Sequence, residues 1–393
     1  MTTESYSPPR LSLLQLFLRF LRFGFLAFGG PVAQIAMVKQ ALVEEERWIS
    51  PARFNRLLAV MQILPGPEAH ELCVHLGMVA RGRIGGLLAG LGFMLPGFGL
   101  MLAAAWLYKD WIVGNPAMAP IFLGVQIAVL AIILRAVQRI GSHILEDRLL
   151  WGLAVASLGV TLAGVPFWIP LIAAGLIYSF AARPLVAGAI AVAAAVLALL
   201  VSGVDPTVKA SVAASETGIV ALFIAGLKGG LLTFGGAYTA IPYVRSDTVG
   251  RGWLSDASFL DGVALAGMLP APLVIFATFA GYVAGGLPGA VAITAGMFLP
   301  AFAFSMIFFE RLEAVVENPA LHRVLAGVAA AVVGVIAATL LQLGWVTTLR
   351  VSNPVAGIAI FAGAVAAAMM LKGKWVAPLL VVAAGVAGWL LVP

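Results

Sequence analysis

The chain has 393 residues, 62% of them hydrophobic and only 10% charged, against about 25% charged in a soluble domain. That composition leaves no room for a soluble domain longer than a loop and describes a polytopic membrane protein. The net charge of +6 comes without a dense basic run or a basic-aromatic face, so it argues for cytoplasmic loop anchors and against nucleic-acid binding.

Cys73 is the single cysteine, which excludes an internal disulfide and a cysteine-based metal cluster. The polar start MTTESYSPPR leads into a basic amphipathic stretch at 11–23 without a cleavage-site pattern, so no removable leader is expected. Apolar windows of bilayer-crossing length then follow one another. They run near 17–43, 52–80, 84–108, 118–141, 149–164, 167–182 and 184–201, and again at 217–244, 257–284, 287–309, 321–343, 354–371 and 375–392. Residues 149–182 read either as two short spans meeting at Gly164-Val165-Pro166 or as a hairpin that does not fully cross.

Phe28-Gly29-Gly30-Pro31 interrupts the first window, and Phe234-Gly235-Gly236-Ala237 interrupts its counterpart 206 residues later. Trp48-Ile49-Ser50 pairs with Trp253-Leu254-Ser255, and Leu64-Pro65-Gly66-Pro67 with Leu269-Pro270-Ala271-Pro272, both at an offset of 205. Leu95-Pro96-Gly97-Phe98 then matches Leu299-Pro300-Ala301-Phe302, and Asn115-Pro116 matches Asn318-Pro319. Landmarks in one order at a slowly drifting offset mean internal duplication. The expected fold is an all-α polytopic membrane protein of about 12–13 segments, with helices broken at the FGG and PGP/PAP motifs. Residues 1–183 form the first repeat and 217–393 the second, and 184–216 supply a connecting span and linker. An odd connector turns the second repeat over. Loop cations agree, with fifteen Lys/Arg on the N-terminal, cytoplasmic side against seven outside.

Irregular backbone at membrane depth is tolerated only where protein or a wet cavity surrounds it. Matching breaks in two halves point to a transporter's binding site. Each break exposes helix N-terminal amides that favour an anion. Gly29, Gly30 and Pro31, Gly235 and Gly236, Pro65, Gly66 and Pro67, and Pro270 and Pro272 are therefore candidate substrate contacts. Read otherwise, these residues are packing points and kinks. Arg22 and Lys228 stand six residues before each FGG and are candidate cations for the same anion, although Arg22 also reads as a snorkelling anchor. Gln34 and Tyr238 flank the breaks as hydrogen-bond donors. Glu68, His70 and Glu71, just after the first PGP, form a candidate proton relay or else a neutral polar patch ordering the break. Their spacing does not match a metal site, and no cofactor is expected. The aligned second-half residues Leu273, Val274, Ile275 and Phe276 carry no such group. Asp261 is only a weak functional candidate.

In combination and order, the FGGP motif, Arg47-Trp48-Ile49-Ser50, Leu64-Pro65-Gly66-Pro67 and the late LP motif resemble the chromate ion transporter family in its long, two-domain form. The resemblance covers nearly the whole chain. It implies a secondary transporter of the bacterial plasma membrane that exports chromate, driven by the proton motive force, and so confers resistance. Sulfate, also tetrahedral and doubly charged, is the expected competitor. Many members carry Ala-His shortly after FGGP; here Gln34 occupies that position, so a proton role would fall to Glu68, His70 and Glu71. An anion channel or uniporter is the alternative. A membrane enzyme is disfavoured by the lack of any Asp-rich motif. The lipid bilayer is the expected surrounding, and the oligomeric state is open, a homodimer included.

Overall fold

The computed structural model describes residues 6–61, 65–202, 217–234, 236–308, 319–371 and 373–392, and these contain helices and no strand. Helix α1 (Leu13–Leu26) starts in a capping box, in which the Ser12 hydroxyl accepts from the Gln15 amide and the Gln15 side chain accepts from the Ser12 amide. Past Gly29 comes α2 (Gly30–Lys39), which loosens into a π-helical turn at Gln40–Glu45. Phe20 meets Trp48 edge-on at 6.3 Å and Arg19 pairs with Glu46. Residues 46–48 thus return to the level of residues 19–20. The FGG break does not carry the chain onward; it turns it back. At 1.5 Å per residue α1 is about 21 Å long, too short for a hydrocarbon core of about 30 Å.

A second hairpin follows. Helix α3 (Pro51–Met61) leads to the Pro65–Pro67 break, and α4 (Glu68–Leu107) comes back from it; Leu57 and Met61 share a core with Leu72 and Leu76. Helix α4 itself folds over at Arg81–Gly82, where Gly82 has φ 62° and ψ −158°. Residues 68–80 then lie along residues 83–95, with Gly77 against Gly85 and Val74 against Gly86 and Gly90. The long arm runs beside α1: Gly92 faces Phe17 and Leu21, and Gly24 faces Phe93 and Pro96. Only small residues let two backbones approach so closely.

Helices α5 (Ala119–Ile144), α6 (Arg148–Leu162), α7 (Trp168–Ser179) and α8 (Pro184–Ser202) complete the first half. The ambiguous 149–182 region is thus two short helices. The second repeat comprises α9 (Ile219–Leu231), α10 (Ala240–Thr248), α11 (Asp256–Met268), α12 (Phe276–Ala303), α13 (Pro319–Thr348), α14 (Pro354–Met370) and α15 (Val376–Leu391). Its backbone copies the first. Gly286 has φ 63° and ψ −157°, matching Gly82 within a degree, and Pro300 packs on Gly230 as Pro96 packs on Gly24.

The halves interlock. Gly124 of α5 touches Ala384 and Gly388 of α15, while Gly327 and Gly334 of α13 touch Ala174 of α7 and Ala154 of α6. Each repeat's long helix is held by the other repeat's short pair. Tyr108, at the far end of α4, reaches Asp261 of α11, and Arg350, just past α13, reaches Gln126 of α5. The second repeat's hairpins therefore enter from the side opposite the first. Among the described residues, five stretches are long and apolar enough to cross a membrane: Glu68–Ile112, Pro116–Ile144, Pro184–Val201, Leu273–Ile307 and Leu321–Thr348.

One expectation needs correcting. The windows 17–43, 52–80, 217–244 and 257–284 are re-entrant hairpins, not crossings, because the breaks reverse the chain. Lys39, Arg47, Arg53 and Arg56 thereby move to the side of the N-terminus, and Arg245 and Arg251 move away from it. The cation excess on that side grows.

Candidate functional site

The four hairpin tips meet, and they meet in inverted pairs. The Gly66 amide of the first repeat's PGP tip donates to the Thr233 carbonyl, just before the second repeat's FGG, at 2.8 Å. Reciprocally, Gln34, just after the first FGG, donates from Nε2 to Ala271 O of the second repeat's PAP tip at 2.9 Å. The same amide also donates to Ala27 O at 2.8 Å, so one buried side chain ties both arms of its own hairpin to the opposite repeat. Gly97 lies directly on Ala271. These bonds satisfy backbone groups that a broken helix leaves open.

Beside this junction is a cavity of about 60 Å³ lined by Gly29, Gly30, Tyr238, Leu269 and Ala271, with Val129 of α5 and Ala377 of α15. Organic ligands need roughly 300 Å³ or more; this space suits a small ion. The α2 N-terminus supplies its polar wall. Gly29 and Gly30 have φ of 92° and 77°, in the left-handed region that favours glycine. A methyl on Gly29 would strike Lys374 at 2.7 Å, and Phe28 packs against Trp375 at 4.9 Å. The loop before α15 thus lies across the FGG tip.

Glu68, His70 and Glu71 form a separate group behind the PGP tip, in the first turn of α4. His70 and Glu71 are fully buried and Glu68 nearly so. The His70 ring sits between Phe298 and Phe302 of the second repeat, at 4.9 and 4.7 Å. Among the described residues neither ring nitrogen has a hydrogen-bond partner within bonding geometry, although the Gly90 backbone stands close by. Among the described residues both Glu71 carboxyl oxygens also lack a partner, and a methyl on Gly66, whose φ is 147°, would lie 2.6 Å from Glu71 Oε1. Acidic side chains here face the positive end of α4's own dipole.

Two expected cations stand apart from the cavity. Lys228 is partly exposed and pairs with Asp247 at 3.2 Å; Arg251 approaches the same carboxyl oxygen at 3.4 Å. Arg22 is exposed on α1. Lys228 seemed isolated within its apolar run because Asp247 reaches it only through the turn of the α9–α10 hairpin. Pro31 is the second residue of α2, Pro65, Pro67, Pro270 and Pro272 occupy their tips, and Gly236, with φ 125°, precedes Ala237. Gly235 lies outside the described residues.

Sequence reasoning passed over Gln34's two hydrogen bonds, the Lys374–Trp375 loop, and the buried set that Tyr108 and Gln126 form with Asp261, itself ranked only as a weak candidate. The lone carboxylate in an otherwise apolar run was the signal for the last.

A family model described as chromate transporter matches residues 14–219 and again residues 220–389. A chromate transport protein of Pseudomonas aeruginosa is 57% identical over all of this chain and 95% of its own length. Another from Cupriavidus metallidurans is 33% identical over 99% of this chain and 95% of its own. A probable chromate transport protein of Synechococcus elongatus is 30% identical over 97% and 96%. No solved structure matches.

Proposed function

The chain belongs to the chromate transporter family, and from that membership we propose that it exports chromate from the cytoplasm against a counter-flow of protons, conferring resistance. The observation that carries this reading is the junction of four inverted hairpin tips beside an ion-sized cavity. Substrate sits at the FGG tip, on the amides of Gly29 and Gly30, with the Tyr238 hydroxyl beside it. Helix N-termini bind oxyanions because their amides are unpaired and their dipole is positive. Arg22 and Lys228 contribute field rather than contact, since neither lines the cavity.

Glu68, His70 and Glu71 carry the proton. A buried ionisable group without a partner is costly when charged, so its occupancy by a proton favours one packing of the tip over another. The N-terminus is cytoplasmic, because the side on which α1 begins holds the excess of Lys and Arg. In a cell negative inside, export of a dianion is downhill in voltage by about 2.3 kcal/mol per charge per 100 mV. Protons therefore add drive to a process already favoured. Sulfate shares the charge and shape of chromate and competes for the same amides.

The test is uptake of chromate into inverted membrane vesicles, with and without an imposed pH gradient and with sulfate as competitor. Wild type should accumulate chromate faster with the gradient. Glu71→Gln should abolish that acceleration while gradient-free exchange persists. Equal acceleration in Glu71→Gln and in a His70/Glu68 double variant would sink the proton assignment. Absence of saturable exchange in the wild type would favour a channel.

A further inference from the structure

A buried carboxylate outside the FGG and PGP tips is Asp261 on α11, 3% exposed. Both its oxygens are occupied: Tyr108 donates its hydroxyl to Oδ2 and Gln126 donates from Nε2 to Oδ1, each at 2.7 Å. The other end of the Gln126 amide accepts from Arg350 at 2.8 Å. The Tyr108 ring is wedged edge-on between Phe122 at 5.6 Å and Phe279 at 4.9 Å. The same two helices wall the cavity one turn nearer the tips, α5 through Val129 and α11 through Ala264. The Gln126–Asp261 contact therefore bridges the cavity's walls on the side away from α1's start. On that path the aromatic cluster closes over it.

We infer that Asp261 is a second proton-binding site of this transporter, and that its bonds to Gln126 and Tyr108 are the gate on the far side of the cavity. The inference rests on the transport reading above. An ionised carboxylate accepts from both donors; a protonated one must itself donate through one oxygen. The Tyr108 hydroxyl can rotate to accept. Gln126 cannot, because turning its amide would give up Arg350. The proton therefore goes to Oδ2 and both contacts persist, but each changes from a charge-assisted to a neutral hydrogen bond of about half the strength, which loosens α5 from α11 and frees the hairpin to swing. The charged or titratable groups facing Asp261 are Tyr108 and Arg350. Helices α12 and α15 bring apolar or uncharged faces, and α5's own cations, Arg135 and Arg139, lie at least nine residues from Gln126, about 13 Å along the axis. A proton arriving from the far side would open the gate as the anion leaves. The first repeat has Arg56, an exposed cation, at the aligned position.

The experiment reads the gate rather than transport. Ala266 lines the cavity and Val113 lies in the exposed loop between α4 and α5. Each is replaced by cysteine in full-length protein in proteoliposomes and labelled from the far side with an impermeant maleimide. Cys73 is fully buried and the protein without an added cysteine sets the blank. Relative to Val113→Cys, labelling of Ala266→Cys should rise roughly fivefold or more from neutral to acid pH. Asp261→Asn should label fast at both, and Asp261→Glu should restore the pH dependence. A ratio that ignores pH in the parent, or slow neutral labelling in Asp261→Asn, overturns the inference. If Asp261→Asn fails to fold, Tyr108→Phe, lacking one donor, must speed neutral labelling; no change overturns it as well. Wild-type protein that gates with pH but moves no chromate would overturn the functional reading and leave this one standing.

Discussion

Two helix starts meet at the centre of the molecule with opposite chemistry. Helix α2 opens Gly30-Pro31-Val32-Ala33, with no acid in its first turn, and Gly29 and Gly30 line a cavity. Helix α4 opens Glu68-Ala69-His70-Glu71, so its positive end is met by its own carboxylates among aromatic rings. One start is left free for an external anion; the other supplies its own. Both starts lie in the first repeat, and their side chains divide the labour between them. The second repeat's counterpart of the α4 start departs from it: the PAP tip is followed by Leu273, Val274 and Ile275, with no ionisable group.

Making the first tip resemble the second should have the largest effect. Val32 is exposed in the first turn of α2, so Val32→Glu has room to fold. A like charge roughly 6 Å from a dianion, at an effective dielectric near 20, costs on the order of 5 kcal/mol. Chromate uptake should fall more than a hundredfold, while Val32→Gln stays within a few-fold of wild type. Equal losses in both variants would mean that shape at this turn matters and charge does not.

A smaller loss is expected where the two repeats differ in backbone. Gly66 holds φ 147°, and a methyl there would lie 2.6 Å from Glu71 Oε1. Its counterpart is already Ala271. Gly66→Ala should therefore cost about 1–3 kcal/mol in strain, read as a lower unfolding temperature and roughly tenfold slower transport. Ala271→Gly should change little. Comparable damage from both would contradict the idea that the first tip alone is held under tension.

Much of this organisation was legible in the sequence. Five landmark pairs disclosed the duplication and its order, and loop cations disclosed the inversion. The meeting of the tips followed from asking where unpaired amides could go. What the sequence left open was the sense of each break. An apolar run with Gly-Gly-Pro in its middle looks the same whether the chain continues or returns. Only contacts such as Phe20 on Trp48 decide it. The same ambiguity isolated Lys228, since a residue nineteen positions away becomes its neighbour only in a hairpin. The Asp261 set was hidden for a related reason: its members come from α4, α5 and α11, and no local pattern links them.

Lys228 supplies the smallest expected effect and the sharpest separation between field and contact. Its amine is partly exposed and shares Asp247 with Arg251, so removing it leaves the carboxylate one cation of two. An exposed pair of this kind is worth about 0–1 kcal/mol. Lys228→Ala should then slow chromate transport no more than about fivefold, with the substrate's apparent affinity little changed. A Lys228→Ala/Asp247→Asn double variant should lose a little more, because Arg251 then gives up its carboxylate partner. A contact role predicts instead a large rise in KM in the single variant, with little added by the double. Measuring saturation curves for both variants beside Val32→Glu distinguishes them, since only a residue touching the anion should match the effect of an acid placed at the FGG tip.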